Sequence, residues 1–456
     1  MPVSGLARAQ QKMTEAGVPQ RAIDVFTSFY AQLEGGATGM IAEADVEPLT
    51  DLERATDLET DEAGSEAVAA TAVIKLNGGL GTSMGMDRAK SLLRVRGDLT
   101  FLDIIVGQVQ HVRRVHGVRL PLLFMNSFRT HDDTRAALSH HGDLAVDDVP
   151  LDFLQNREPK LLAHDLTPVE WPDDPSLEWC PPGHGDLYTA LETSGVLRDL
   201  LDAGFRYAAV SNSDNLGAAP DPAMMAWFAA SGAPYAAEVC RRTPADVKGG
   251  HLVVRRDDGR LVLREIAQTP PEDVESASDL TRHRFFHTNN LWFDLEKLAQ
   301  MLADRSGVLG LPLIRNEKNV DPADPASPRV VQIESAMGAA VEVFDGATAI
   351  EVDRSRFLPV KTTRDLLVLR SDVYEVGDDL KVRARAQTPL VDLDRRFYST
   401  IADFDARLPD PPSLAEATSL TVEGDWTFGR GVVVTGEVRL DDDGTARSIP
   451  EGTRLG

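Results

Sequence analysis

The hydrophobic rhythm of the chain changes twice, and the changes divide it. Over residues 4–34 the spacing is helical. After a break at Gly17-Val18-Pro19, the residues Ile23, Phe26, Tyr30 and Leu33 recur three and four apart and make one apolar face. Residues 45–64 are acidic and cut by turn formers, which predicts a helical hairpin or a surface segment. From residue 69, short runs of small and β-branched apolar residues alternate with amphipathic stretches. Ala69-Ala70-Thr71-Ala72-Val73-Ile74 reads as a buried strand, as do 120–125, 207–211, 233–239 and 251–255, while 130–140 and 188–201 carry helical spacing. This βαβ rhythm predicts an α/β fold with a doubly wound, mainly parallel sheet. After about residue 376 the runs become short β segments parted by glycine and aspartate: 382–391, 420–422, Thr427-Phe428 and 432–440. Within them, Gly429-Arg430-Gly431-Val432-Val433-Val434-Thr435-Gly436-Glu437-Val438 resembles one or two coils of a β-helix, each short strand turning at a small residue.

A length of 456 residues suggests two or three domains with ample core. The formal net charge of −25 argues against nucleic acid or an anionic membrane as partner. It also means that a phosphate site must draw its positive field from its own lysines and backbone amides. Two cysteines, Cys180 and Cys240, cannot build a disulfide framework or an all-thiolate metal site, and read as small buried residues in a reducing compartment. No run reaches the roughly 20 apolar residues of a membrane span, and the first 21 residues lack a signal pattern. A cytoplasmic enzyme is the expectation.

The chemistry concentrates in a few loops. Leu76-Asn77-Gly78-Gly79-Leu80-Gly81-Thr82-Ser83-Met84-Gly85 follows the first β strand, with Lys90-Ser91 just beyond. Glycines let backbone N–H groups approach an anion, and a lysine downstream supplies a mobile charge suited to a nucleotide polyphosphate. The loop is neither a P-loop nor a dinucleotide fingerprint: no lysine directly follows a glycine at the P-loop spacing, and Met84 stands where the third fingerprint glycine belongs. Taken alone, it reads equally as a tight βα turn. Asp214, at the end of the 207–211 strand, serves either as a Mg²⁺ ligand or as a helix cap within Asn212-Ser213-Asp214-Asn215. Trp179-Cys180-Pro181-Pro182-Gly183-His184-Gly185-Asp186 predicts a stiff, exposed turn whose amides and His184 face an anion, or a structural turn with a surface histidine. Lys248-Gly249-Gly250, Glu265 and His287-Thr288-Asn289-Asn290 offer the paired donors and acceptors that sugar hydroxyls need. Lys361 lies in an apolar run, where a partly buried lysine needs an anion. No Ser-His-Asp order, His-Glu-x-x-His or reactive-cysteine motif occurs, so the sum points to phosphoryl or nucleotidyl transfer.

With these residues assembled, the chain closely resembles the eukaryotic-type UTP–glucose-1-phosphate uridylyltransferases, from about Val73 to Tyr374 and more loosely to Leu455. The resemblance is carried by Lys75 to Thr82 with Lys90-Ser91, by Met125-Asn126-Ser127-Phe128, and by Gln155 with Pro159. It continues through Pro181-Pro182-Gly183-His184-Gly185-Asp186, residues 212–217, Val247-Lys248-Gly249-Gly250 and Glu265-Ile266-Ala267-Gln268. Phe286 with Thr288-Asn289-Asn290-Leu291-Trp292, and residues 355–363, complete it.

The resemblance implies a helical segment over 1–68, a nucleotidyltransferase domain over 69–375 and a small C-terminal left-handed β-helix over 376–456. It implies formation of UDP-glucose and pyrophosphate from UTP and glucose 1-phosphate, with Mg²⁺ held by Asp214. Gly78, Gly79 and Gln155 would hold the uracil edge, with Gly183 near the base and Leu76, Asn77, Gly81 and Thr82 completing the nucleotide loop. Lys90 and Lys361 would neutralise phosphates as the catalytic lysines. His184 would contact phosphate, and Asn212, Gly250, Glu265, Asn289 and Asn290 the glucose hydroxyls. Two departures stand inside this region. Arg88-Ala89 replaces the family's Gly-Pro before Lys90, which predicts a more mobile loop with added charge. Pro159-Lys160 replaces Pro-Arg, keeping the charge without the bidentate fork. The β-helix ends at Gly456, short of the last coil of animal and yeast members, so the expected state is a monomer or small homo-oligomer. Two alternatives remain at this stage: the same chemistry on galactose or N-acetylglucosamine 1-phosphate, and a catalytically silent UDP-sugar-binding protein.

Overall fold

A computed structural model describes residues 4–58, 64–243, 246 and 249–456. Two helices, Gly5–Glu15 and Gln20–Glu34, open it, broken at Gly17-Val18-Pro19 as the sequence predicts. Ten strands form the central sheet: β1 (Val46–Pro48), β2 (Thr71–Asn77), β3 (Leu122–Asn126), β4 (Asp152–Leu154), β5 (Tyr207–Asn212), β6 (Tyr235–Arg241), β7 (His251–Arg255), β8 (Leu261–Arg264), β9 (Phe285–Asp294) and β10 (Thr348–Glu351). Their main order is β1-β7-β9-β5-β2-β3-β4, with β8 beside β7, and with β6 pairing both β9 and β10.

The sheet is mixed, which corrects the expectation of a mainly parallel one. β5, β2, β3 and β4 run parallel, but β9 runs against β5, β6 and β7, and β7 runs against β1 and β8. Periodicity marks where strands lie and carries no direction, so the reversal was invisible in the pattern. It has a consequence for the site. The ten-residue β9 pairs with β5 from Leu291 onward and meets β7 at Phe286, so residues 288–290 sit at the fork where β5 and β7 part.

Side-chain alternation sorts the two cores. Ala72, Ile74 and Leu76 of β2, with Leu123 and Met125 of β3, face the N-terminal helices through Met13, Phe26 and Tyr30. Val73, with Leu122 and Phe124, faces helices Phe101–His116 and Pro222–Ser231 on the other side. Every residue of β2 is buried, as expected of a central strand covered on both faces. The expected helix over 188–201 is two, Leu187–Thr193 and Val196–Asp202, parted at Gly195. The acidic stretch after residue 45 supplies the edge strand β1 rather than a hairpin of helices. Residues 59–63 of that stretch lie outside the described residues.

At the C-terminal end, Leu390–Leu393, Ser413–Val422, Val433–Leu440 and Arg454–Leu455 stack in parallel, and Trp426–Phe428 pairs in parallel with Arg447–Ile449. Leu414, Leu420, Phe428, Val434 and Ile449 fill the stack and join the second core. An antiparallel ribbon, Tyr374–Val376 with Val382–Ala384, spans the point where the sequence texture changes. Among the described residues no helix is long and apolar enough to cross a membrane.

Candidate active site

The chain ends of β2, β3 and β5 lie side by side, and the chemistry-bearing loops leave from them. After β2 the glycine loop turns through a short 3₁₀ segment, Thr82–Met84, and returns so that the Lys90 N–H donates to Gly79 O (3.0 Å). Lys90 Nζ then reaches Asp214 Oδ2 at 2.5 Å, both side chains being largely shielded. Asp214 is held in its turn after β5, where its carbonyl accepts from the Val360 N–H (3.3 Å). Asn212, half-buried, closes β5 beside Leu76. The loop carrying Lys361 is therefore fastened to the turn carrying Asp214.

That fastening rests on a buried ion pair. Glu238 sits at an irregularity where the β6–β9 register shifts. Arg356 grips it fork on fork, Nε to Oε2 at 2.8 Å and Nη2 to Oε1 at 2.7 Å. Trp292 Nε1 (3.0 Å) and Asn290 Nδ2 (3.0 Å) donate to the same carboxylate. Asn215 Nδ2 donates to Asn290 Oδ1 (3.1 Å) and Arg356 O (3.0 Å), and its Oδ1 accepts from the Leu358 N–H (2.8 Å). Burial works against the Arg356 charge, and Glu238 more than restores it.

Across the crevice, the predicted base residues meet. Gln155 Nε2 donates to Gly183 O at 2.7 Å, and its Oε1 would stand 3.2 Å from a Cβ placed on Gly78. Gly183 has φ 78°, and a Cβ there would fall 2.5 Å from Ser335 O, so both backbone and space require glycine. A cleft of about 1090 Å³ opens beside Gln155, with the exposed faces of Phe128 and Leu154 on its wall. His184 is half-buried; its Nδ1 accepts from the Met337 N–H (2.9 Å), and burial lowers its pKa, so the neutral ring carries its proton on Nε2. Toward the fork, a Cβ on Gly250 would strike the Glu265 carboxylate within 2.6–2.8 Å, so glycine there admits the acid. Burial raises the Glu265 pKa and the nearby Lys361 opposes it. Asn289 holds φ 58° within β9, its N–H donating to His287 Nδ1 (3.1 Å).

Several predicted residues stand otherwise than expected. Lys361 is exposed on the rim, because the apolar neighbours Phe357 and Val360 turn inward and leave it outside. Asn77 is buried between strands; its Nδ2 donates to Asn126 Oδ1 and Thr134 Oγ1, and its Oδ1 accepts from Ser213 Oγ, so only its backbone faces the loop. Asn290 uses both amide hydrogens on Glu238 and Arg356 O, which leaves the sugar side of the fork to Asn289. Lys160 is buried and donates to Val320 O (3.0 Å). Asp186 belongs to no exposed turn. Arg88 is exposed, while Val247 and Lys248 lie outside the described residues. Leu76 is buried, and Gly79, Gly81 and Thr82 line the mouth of the loop.

Sequence reasoning missed Glu238, Arg356 and Lys75 as parts of the site. Lys75 is fully buried, donates to Ser211 Oγ (2.7 Å) and Ala218 O (2.8 Å), and has its pKa pushed down by burial to about 7. A charged residue inside an apolar β run was the available signal in both Lys75 and Glu238. Cys180 and Cys240 are free and buried, as expected.

A glycine loop, a lysine–aspartate pair and a polar fork at the strand ends of an α/β sheet define a sugar-nucleotide transferase. The comparisons make this particular. The model of the UTP–glucose-1-phosphate uridylyltransferase family matches residues 23–435. The enzyme of that name from Hordeum vulgare is 40% identical over 389 residues, covering 84% of this chain and 80% of its own length. A variant of UDP-glucose pyrophosphorylase from Leishmania major, solved in complex with UDP-glucose, has a TM-score of 0.92 at 41% identity and covers 99% of this chain and 98% of that one. Another structure of the Leishmania major enzyme, known in open and closed forms, gives 0.92 at 41% identity over the same shares. The chain belongs to the UTP–glucose-1-phosphate uridylyltransferase family.

Two outcomes follow for stability. Glu238→Ala strands the buried Arg356 guanidinium and should cost about 3–5 kcal/mol in urea unfolding, whereas the Glu238→Leu, Arg356→Met pair should recover much of it. A single-variant loss below about 1 kcal/mol would contradict a buried, compensated pair. The second concerns Asp186, whose pKa burial raises from 3.8 to about 7 against two Asn156 bonds. Between those values the folded state holds more protons than the unfolded one, so this group's contribution falls as pH rises through the window. The stability of Asp186→Asn relative to the native chain should therefore improve from about pH 5 to about pH 7.5. A constant difference would mean an ordinary carboxyl.

Proposed function

We propose that this chain forms UDP-glucose and pyrophosphate from UTP and glucose 1-phosphate. The observation that carries the reading is that Gln155 lies against Gly78 and Gly183, that Lys90, beyond the same glycine loop, pairs with Asp214, and that Glu265 lies beside Gly250 within the field of Lys361. One wall suits a base, the other a polyol, and the phosphate chemistry lies between.

The second hydrogen of Gln155 Nε2 and its Oε1 match the O4 acceptor and N3–H donor of uracil, with the Gly78–Gly79 backbone along the same edge. The backbone of Leu76 and Asn77, with Gly81 and Thr82, lines the nucleotide. Nε2–H of His184 donates to a phosphate oxygen. Asn212, Gly250, Glu265 and Asn289 take the glucose hydroxyls. An oxygen of the sugar phosphate attacks the α-phosphorus in line; that P–O bond forms as the bond to the β-phosphate oxygen breaks, and its electron pair leaves with pyrophosphate. A phosphate oxygen is already a competent nucleophile, so the protein supplies positioning and charge neutralisation from Lys90 and Lys361.

The half-buried Asp214 carboxylate fits Mg²⁺, which takes one or two carboxylates and fills its octahedron with phosphate and water. Bound there, the ion would neutralise charge on the phosphates. We infer further that the parallel C-terminal stack winds as a left-handed β-helix, dividing the chain near residues 68 and 375, and that the protein works in the cytoplasm as a monomer or small homo-oligomer.

Pyrophosphate release measured over UTP, CTP, ATP and the 1-phosphates of glucose, galactose and N-acetylglucosamine tests the reading. UTP with glucose 1-phosphate should give the highest kcat/KM. Faster turnover of another sugar would redirect the assignment, and no release from any pair would leave a binding protein. Within that assay, Asp214→Ala and Lys90→Met should each lower kcat about 10²-fold or more, on the scale of one electrostatic stabiliser. Because the two side chains touch, the double variant should fall short of the product of the single losses. Near-native turnover of Asp214→Ala at saturating Mg²⁺ would remove its metal role.

A further inference from the structure

The segment that carries Gln155 is laced to the turn that carries Gly183. Gln155 Nε2 bonds to Gly183 O, Glu158 pairs with Cys180, and the Lys160 N–H donates to Glu178 O (2.8 Å). Within this lacing, the ionisable side chain of Asp186 acts on the residue next to Gln155. Asp186 Oδ2 accepts from the Asn156 N–H at 2.6 Å, and Oδ1 from Asn156 Nδ2 at 2.9 Å.

This use of an aspartate is unusual for its place. Asp186 stands immediately before helix Leu187–Thr193, where an aspartate commonly caps the first amides, yet its side chain makes no cap bond. It is 5% exposed, so a carboxylate has been taken out of water to hold a single loop residue by backbone and side chain together. Two bonds to one residue fix its orientation as well as its position. The neighbouring Gln155 inherits that orientation through the shared peptide, and its amide must present a donor and an acceptor at fixed angles to be selective. The Asn126 O to Gln155 N–H bond (2.8 Å) fixes the other side of the residue.

We propose that Asp186 is a positioning residue for base selection: by clamping Asn156 it sets the angle at which the Gln155 amide meets the base. This rests on Gln155 being the base contact. Asp186→Leu removes both acceptors of the clamp while keeping side-chain volume, which Asp186→Asn would not do, because turning the Asn156 amide over restores both bonds.

The test measures kcat and KM for UTP and for CTP in the native chain, Gln155→Ala, Asp186→Leu, Asn156→Ala and the Gln155→Ala, Asp186→Leu pair, each checked for folding by circular dichroism. Gln155→Ala should lower the UTP-to-CTP preference about five- to tenfold, the worth of a neutral hydrogen bond. Asp186→Leu should lower it by a similar factor, through KM for UTP rather than kcat, with KM for glucose 1-phosphate unmoved. In the Gln155→Ala background it should add nothing, since the group it positions is gone. An unchanged preference in Gln155→Ala defeats the base-site reading itself. A lowered preference there with none in Asp186→Leu defeats the clamp alone, as does an equal further loss in the double variant. Should Asp186→Leu fail to fold, Asn156→Ala decides: it keeps the backbone bond, should shift the preference the same way by less, and an unshifted preference overturns the proposal.

Discussion

The buried pair of Glu238 and Arg356 is the constraint on which the rest of the site hangs. A carboxylate inside the sheet is tolerable only if its lone pairs are filled, and here four donor groups from two segments fill them. Each of those segments carries something the crevice needs. β9 brings Asn289 to the fork, and the Arg356 loop brings Lys361. Asn215, bonded to both, holds the turn that presents Asp214. A loop that would otherwise be a mobile surface connection thereby acquires a fixed starting point five residues before its lysine. The exposure of Lys361 is compatible with this: the anchor is rigid and the side chain beyond it is free to reach a phosphate.

The electrostatics work at short range and against the protein's own background. With a net charge of −25, the surface offers no long-range attraction to nucleotide polyphosphates. What attracts them is local. Lys90 and Asp214 form a contact pair of zero net charge, which costs little to keep in a partly shielded crevice while no ligand is there. On the proposed reading a triphosphate would give Lys90 several oxygens in place of the one it meets on Asp214, and a cation arriving with it would satisfy the carboxylate. The pair would then be an exchangeable contact, whereas Glu238–Arg356, sealed in the sheet, is a permanent one. Exposure decides which ion pairs can take part in chemistry and which serve to hold it.

The sequence was most informative where backbone freedom and residue type coincide. Gln155 lies against both Gly183 and Gly78 of the glycine loop, Lys90 just beyond that loop pairs with the Asp214 turn, and the N-terminal helices and parallel stack at the end follow their periodicities. It was least informative where identical residue types take opposite roles. Asn289 and Asn290 are neighbours of the same chemistry, yet Asn290 turns into the Glu238 network while Asn289, in a left-handed conformation, holds its amide oxygen 3.2 Å from His287 Nδ1. Asn77 likewise sits in a ligand motif while its side chain ties β2 to β3 and the Ser213 turn. Strand direction was not legible either, since alternation of apolar residues is the same read both ways. The antiparallel half of the sheet, and with it the fork in β9, is a product of tertiary pairing alone.

That fork explains why the polar wall of the crevice lies inside a sheet rather than only on loops. A strand with continuous partners on both sides offers no room for a ligand, because every backbone group is paired and each side chain faces a packed layer. By leaving β5 near Leu291 and reaching β7 only at Phe286, β9 opens a gap in its pairing on that side, and the β6 register shifts over the same residues on the other. Asn289 takes a left-handed conformation inside that gap, at φ 58°, which breaks the normal alternation at the one place where pairing is suspended. Asparagine is among the few side chains that adopt it at small cost, and the His287 ring receives the displaced N–H. Opposite, Gly250 lets Glu265 come closer than any side chain would permit. The missing strand partner and the left-handed asparagine fall on neighbouring residues of β9, and Gly250, whose carbonyl accepts from the His287 N–H, brings the Glu265 carboxyl up to the same stretch. Irregularities gathered at one point of a strand, rather than scattered, are what the proposed sugar site asks of this fork.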